Sequence, residues 1–275
     1  MDNDLSKLKT KLKEIKGLYE QTIRVGGRDG VHSLIRSQRL IGIIHDYIKK
    51  ELISYGVSSK KIIPKLNESN PEICMSGFLK EKKQDISVIS SGFKKETIKE
   101  GVLIGKTDKV GKGVMNTSIS INVRSQLSSL AKNFDTLYER TFAEALNLHL
   151  RANKLVMGEV YMIPLVAYDP EKMVRKEIGW KEKAPIKYIP AFRELTKRKS
   201  VDIDEYKYER VCLLIVDFRE DEPKIIDSAE KLLELGWIKQ KELSNFSLKG
   251  LGMKDFVKDL IKSYEKRHNT LNSLK

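Results

Sequence analysis

The sequence predicts an α/β protein in which a mixed sheet is flanked by helices and preceded by a helical N-terminal unit. Residues 5–54 carry apolar side chains three or four apart, the spacing of helices with one buried face. Thr117 to Arg124, TSISINVR, alternates like a strand and gives way to a helical period, while Val211 to Val216 in VCLLIVDF is continuously apolar. Such a run suits a central strand covered on both faces.

In residues 5–23, Leu5, Leu8, Leu12, Ile15, Tyr19 and Ile23 share a face with lysines between them, which defines an amphipathic helix. VGGRDG is expected to break it. A second helix is expected over His32 to Ser54, with Ile35, Leu40, Ile43, Ile44, Tyr47, Ile48 and Leu52 on its apolar face. Gly56 to Gly77 contains Pro64 and Pro71 and reads as a connection, so a boundary near residue 75 is expected. It divides the chain into a helical N-terminal region, 1–75, and an α/β domain with C-terminal helices, 76–275. In the second part Asp85-Ile-Ser-Val-Ile-Ser predicts a strand, and EGVLIGKTDKVGKGVM a short strand and loop. A long helix is expected over Leu127 to Arg151, a strand within Lys154 to Tyr168, a polar helical excursion, and the strand Arg210 to Phe218. Helical patterns recur at Ala229 to Leu235 and Asp255 to Tyr264.

The chain has 275 residues, 52 Lys+Arg against 38 Asp+Glu, and a formal net charge of +14. A charge of this size attracts polyanions, of which nucleic acid is the commonest inside a cell. No apolar run approaches the roughly 20 residues of a membrane span, and MDNDLSKLK has no signal-peptide core, so a soluble intracellular chain without membrane contact is expected. Cys74 and Cys212 cannot build a disulfide framework, and His32, His45, His149 and His268 lack zinc-site spacing. Neither a phosphate-cradling glycine loop nor a G-x-S-x-G elbow is present.

Chemistry concentrates at Asp85 and at Asn122-Val123-Arg124, which closes a strand just before a helix. Residues two apart on a strand point the same way, so Asn122 and Arg124 share a face and can meet Asp85 on a neighbouring strand. A carboxylate there can anchor Mg²⁺, the Val123 carbonyl can add a ligand, and a cation beside the ion can stabilise charge developing on phosphorus oxygens. The following helix aims its N-terminal amides toward the same place, which favours a phosphate.

These residues, with Ser125-Gln126, Asn133 and Arg140-Thr141-Phe142-Ala143-Glu144-Ala145, resemble the core of type II restriction endonucleases of the PD-(D/E)xK superfamily, over about residues 80–168. The resemblance implies a restriction-endonuclease-like mixed sheet. It also implies a Mg²⁺-dependent, sequence-specific deoxyribonuclease that hydrolyses phosphodiester bonds of double-stranded DNA. Such an enzyme works as a homodimer or higher even oligomer in a bacterial or archaeal cytoplasm, within a restriction-modification system. Members that cut CCGG-containing sites draw their final acid from the helix, which would make Asp85 and Glu144 the metal ligands and Arg124-Ser125 a base-reading pair. Members that cut CTCGAG-type sites follow the strand's lysine with Ser-Gln and later Asn, which puts Arg124 in the catalytic position ahead of Ser125, Gln126 and Asn133. The expected catalytic set is therefore Asp85, Asn122, Arg124 and Glu144, and the expected DNA contacts are Arg124, Ser125, Gln126, Lys132 and Asn133.

The superfamily's acidic-x-Lys is Asn122-x-Arg124 here. Arginine keeps the charge but cannot deprotonate. Either a nearby lysine, such as Lys106 or Lys109, takes the amine's part, or the centre has decayed and the chain binds nucleic acid without cutting it. Each residue also has a structural alternative: an ion pair from Glu144 to Arg140 or Arg151, Arg124 as a cation holding Asp85, and Glu159 on an edge strand. His149 is expected on the helix surface, and Lys197, Arg198 and Lys199 as a phosphate patch.

Overall fold

A computed structural model describes residues 5–127, 134–181 and 185–275. Six strands form one mixed sheet in chain order: β1 (Ile62–Ile63), β2 (Ile86–Val88), β3 (Ile119–Ser125), β4 (Val156–Pro164), β5 (Arg210–Asp217) and β6 (Lys224–Ile226). The centre is parallel, β3 to β4 to β5, and the outer pairs β1–β2, β2–β3 and β5–β6 are antiparallel. β4 and β5 are buried along their whole length. Alternation therefore divides their apolar side chains between two layers, Val160, Met162, Cys212 and Leu214 to one face and Met157, Tyr161, Val211 and Leu213 to the other. This is why these segments read as continuous apolar runs.

The first face is covered by α1 (Ser6–Arg36), α2 (Arg39–Ser54) and α5 (Phe256–His268), and the second by α3 (Phe134–His149) and α4 (Tyr188–Leu195). Leu8, Leu12, Ile15, Tyr19 and Ile23 are buried as their spacing predicts. They join one apolar cluster with Ile86, Ile121 and Val160, so the N-terminal helices share the core of the sheet across residue 75. The expected connection over 56–77 contributes β1 at the sheet edge and Ile73–Ser76, which pairs with Glu81–Gln84 in a separate hairpin. Both strands are too short to leave an alternating pattern. The glycine-rich stretch pairs its Thr107–Asp108 with Glu96–Thr97, which precedes it, and leads into a short helix, Lys112–Asn116. The predicted start of the long helix at Leu127 adjoins residues 128–133, which lie outside the described part; its described portion is Phe134–His149. No helix among the described residues is long and apolar enough to cross a membrane.

VGGRDG does not end the first helix but kinks it at Gly27, whose φ of 57° and ψ of −149° leave the helical region. The break between α1 and α2 falls later, at Gln38, which takes a left-handed conformation. A Cβ on Gly27 would sit 2.9 Å from the Met173 carbonyl oxygen, whereas one on Gly26 would meet nothing within 4 Å. Gly27→Ala should therefore cost about 1–3 kcal/mol and Gly26→Ala should be neutral or stabilising by up to about 1 kcal/mol, as read from urea unfolding midpoints.

Candidate functional site

The β2–β3 pairing sets Ile86 opposite Ile121, which brings Asp85 beside Asn122. There side chains take over from the backbone ladder. The Asp85 amide donates to Asn122 Oδ1 at 3.1 Å, and the Val123 amide donates to Asp85 Oδ2 at 2.7 Å. Asn122 Nδ2 donates to Glu144 Oε1 at 2.9 Å and to Gln84 Oε1 at 3.1 Å, so one amide ties the two expected acids together. Its position two before Arg124 puts both on the same face of β3. Arg124 Nη2 lies 2.6 Å from Glu144 Oε2, while Nη1 donates to Thr141 Oγ1 at 2.8 Å and stands 2.8 Å from Glu159 Oε1.

α3 serves this cluster with Thr141, Glu144 and Asn147, three residues apart and so on one face. Asn147 does not reach the acids but clasps the hairpin. Its Oδ1 accepts from the Leu79 and Lys80 amides at 2.7 and 3.1 Å, and its Nδ2 donates to the Lys80 carbonyl at 3.0 Å. The hairpin in turn delivers Lys82, whose Nζ is 2.9 Å from Glu144 Oε2. On the other side of Asp85, His45 of α2 brings Nε2 to 3.8 Å from Oδ2. Burial holds the His45 imidazole down at about 4, helped by Lys49, so it faces Asp85 as a neutral ring near neutrality.

Burial pushes the Asp85 carboxyl up to about 6, with Glu72 and Glu144 adding to the rise and the Val123 hydrogen bond and Arg124 opposing it. Glu159 is fully buried, and desolvation lifts it to about 8 against the pull of Arg124. Burial works against the charge on Arg124, yet Glu159, Tyr208, Glu144 and Asp85 together raise its pKa above the ordinary value. The side chains of Lys82, Arg124 and Asp85 keep some contact with solvent, whereas Glu144 and Glu159 form the floor.

Asp85, Asn122, Arg124 and Glu144 thus meet in one bonded cluster. Glu144 pairs with Arg124 and Lys82, not with Arg140 or Arg151; Arg151 is turned to Asp108 and Glu96. The lysine that reaches the cluster is Lys82, not Lys106 or Lys109, because the hairpin folds back over α3. Ser125 is half-buried at the strand's end. Gln126 departs from the expectation of a DNA contact: it is buried, and its Oε1 accepts from Tyr161 at 3.1 Å and Tyr188 at 2.8 Å. Lys132 and Asn133 lie outside the described residues. Glu159 is on a central strand and not at an edge, and its single acid in an apolar run was the signal for it. His149 is buried, not on the surface, with its ring nitrogens 2.8 and 3.1 Å from the Glu205 and Leu155 carbonyl oxygens. No protein-family model, curated protein or solved structure matches the chain.

Among the described residues no three His, Cys, Asp or Glu side chains form a ready metal cage. The donor chemistry nonetheless suits a hard cation at Asp85. Glu159, lifted to about 8, stays protonated near neutrality, which leaves Asp85 and Glu144 as the carboxylates beside Arg124 and Lys82. Among the described residues Asp85 is the acid with no cation bonded to it, while Glu144 would have to exchange Lys82 or Arg124 for a metal.

A carboxyl raised from 3.8 to about 6 binds its proton more tightly folded than unfolded. Stability from this group is therefore lost as pH rises through that window. Asp85→Asn keeps an acceptor for the Val123 amide and removes the penalty. In EDTA the variant should be about 1–3 kcal/mol more stable than the parent well above pH 6, with the gain vanishing toward pH 4, by urea unfolding at both pH values.

Proposed function

We propose that the chain is a Mg²⁺-dependent, site-specific endonuclease of double-stranded DNA, a type II restriction enzyme on a PD-(D/E)xK-like core. The observation that carries this reading is the bond from Asn122 to Glu144 together with the Asp85 amide bonded to Asn122. Through it, an acid at the strand junction and an acid from the helix come to one place, with Lys82 and Arg124 beside them. Asp85 and Glu144 would hold the Mg²⁺, which when bound supplies charge neutralisation at the phosphodiester and a more acidic water.

The protein's own groups account for the rest. Lys82 and Arg124 offer N–H donors to the non-bridging oxygens of a phosphodiester and stabilise the negative charge that grows there. Lys82 supplies the amine that Asn122-x-Arg124 lacks, and unlike arginine it can release a proton. Asn122 holds both acids in position and bears no charge itself. The described residues of a single chain offer one such centre, so cutting both strands of a symmetric site calls for two copies related by a twofold axis. The net charge of +14 supports non-specific attraction to DNA.

A second reading, a nucleic-acid-binding protein with a decayed centre, draws on the bonds from Arg124 to Glu144 and Glu159. They occupy two acids with a cation that cannot deprotonate.

Unmethylated phage DNA incubated with the protein in Mg²⁺ or in EDTA separates the two. Discrete fragments in Mg²⁺ alone are expected; retarded but intact DNA in both would establish the binder. Asp85→Ala should abolish cutting and retain binding, and retained cutting would remove Asp85 from the site. Glu144→Gln should slow cutting by about 10²-fold or more, while exposed Glu139→Gln stays near normal. Because Asp85 must be ionised to take a metal, cutting should fall as pH drops through about 6, as read from initial rates across a pH series.

A further inference from the structure

β5 pairs Arg210 with Gly158 and Val211 with Glu159, while Glu159 also pairs with Asn122. Neighbours along a strand point to opposite faces, so Arg210 leaves the sheet on the side away from Asn122 and Glu159. It borders a groove of about 760 Å³ between α5 and the segment that follows α4. Arg210 is only 4% exposed; its Nε lies 3.0 Å from Asp259 Oδ2, and its Nη1 is buried with no hydrogen-bond partner among the described residues. Arg198 and Arg267 line the same groove and share Glu209, at 3.5 and 2.8 Å. Burial pushes the Arg198 pKa down, and although Glu209 opposes the shift, repulsion from Arg267 adds to it.

Five exposed lysines, Lys154, Lys197, Lys199, Lys262 and Lys266, stand around these arginines, and none forms an ion pair among the described residues. Glu209 and Asp259 are the only acids in the described lining, against eight cations, and Val201 is its only apolar side chain. A ligand here is held chiefly by charge and by guanidinium donors, since no aromatic side chain is among the described lining. Bringing so many cations together costs repulsion that an anion would relieve.

We infer that this groove, at the end of the sheet where β4 and β5 begin, is a binding site for a run of phosphate groups, separate from the Asp85 cluster. The inference goes beyond the nuclease reading and does not need it. Free oligophosphate and a nucleic-acid backbone present the same chemistry, and the test distinguishes them.

Titrate the full chain in EDTA with inorganic tripolyphosphate by calorimetry, and with a short labelled DNA duplex by fluorescence anisotropy. Compare the parent with Lys262→Glu/Lys266→Glu, which changes exposed rim residues, and with Lys7→Glu/Lys9→Glu, which makes the same charge change on α1. The rim variant should lose at least about tenfold in affinity and the α1 variant less than about threefold. Loss of tripolyphosphate binding assigns the groove to oligophosphates. If only the duplex binds, loss of its affinity, with a salt slope shallower by about two, assigns the groove to a nucleic-acid backbone. Equal affinities for parent and rim variant, equal losses in both variants, or no binding of either ligand would overturn the inference. Cleavage is not read in EDTA, so absence of nuclease activity leaves these outcomes distinct.

Discussion

The charge on Arg124 is the constraint around which the inner site is arranged. Glu144 and Glu159 lie almost wholly out of water, and a buried carboxylate left without a partner costs several kcal/mol. One guanidinium serves both, and it can do so only because its flat fork spans them while Thr141 receives one of its N–H groups. The register of β3 against β4, with Arg124 two residues past the Asn122–Glu159 pair, and the place of α3 over the sheet are both held to this contact. Removing the arginine would leave Glu159 with no cation among the described residues and Glu144 with Lys82 in its place.

Much of the architecture was legible because its elements are long and periodic. Leu8 to Ile23 on α1, the apolar β5 and the alternation of TSISINVR each carry enough residues to declare a period. β1 and the hairpin strands carry too few, and they are held by pairing that only the folded chain supplies. The kink at Gly27 illustrates a different limit: glycines permit a break, but where the chain finally turns, at Gln38, is decided by how α1 and α2 pack.

At the site, the strand spacing made Asn122 and Arg124 neighbours on one face, and Glu144 was reached only through the resemblance of its helix segment. Glu159 stood out as an acid in an apolar run but reads as an edge residue until the strand order is known, while Lys82 and His45 leave no signal because each arrives from an element whose approach is tertiary. A lysine in EKKQ looks like any solvated lysine, and its role depends on the hairpin folding back over α3. Gln126 was misjudged for the converse reason. Its sequence position beside Arg124 suggests exposure, yet Tyr161 and Tyr188 turn it into the packing beneath the strand's end.

Asn147 clasps the hairpin turn one helical turn from Glu144, so the hairpin and α3 are joined as one mechanical piece. Lys82 and Asp85 at the hairpin and Glu144 on the helix therefore do not have independent fluctuations. When this part of the chain opens, the amides of residues 79 and 80 should exchange in step with those around Glu144, because a local opening that frees one frees the other. The charges of the cluster would then vanish and return as a set.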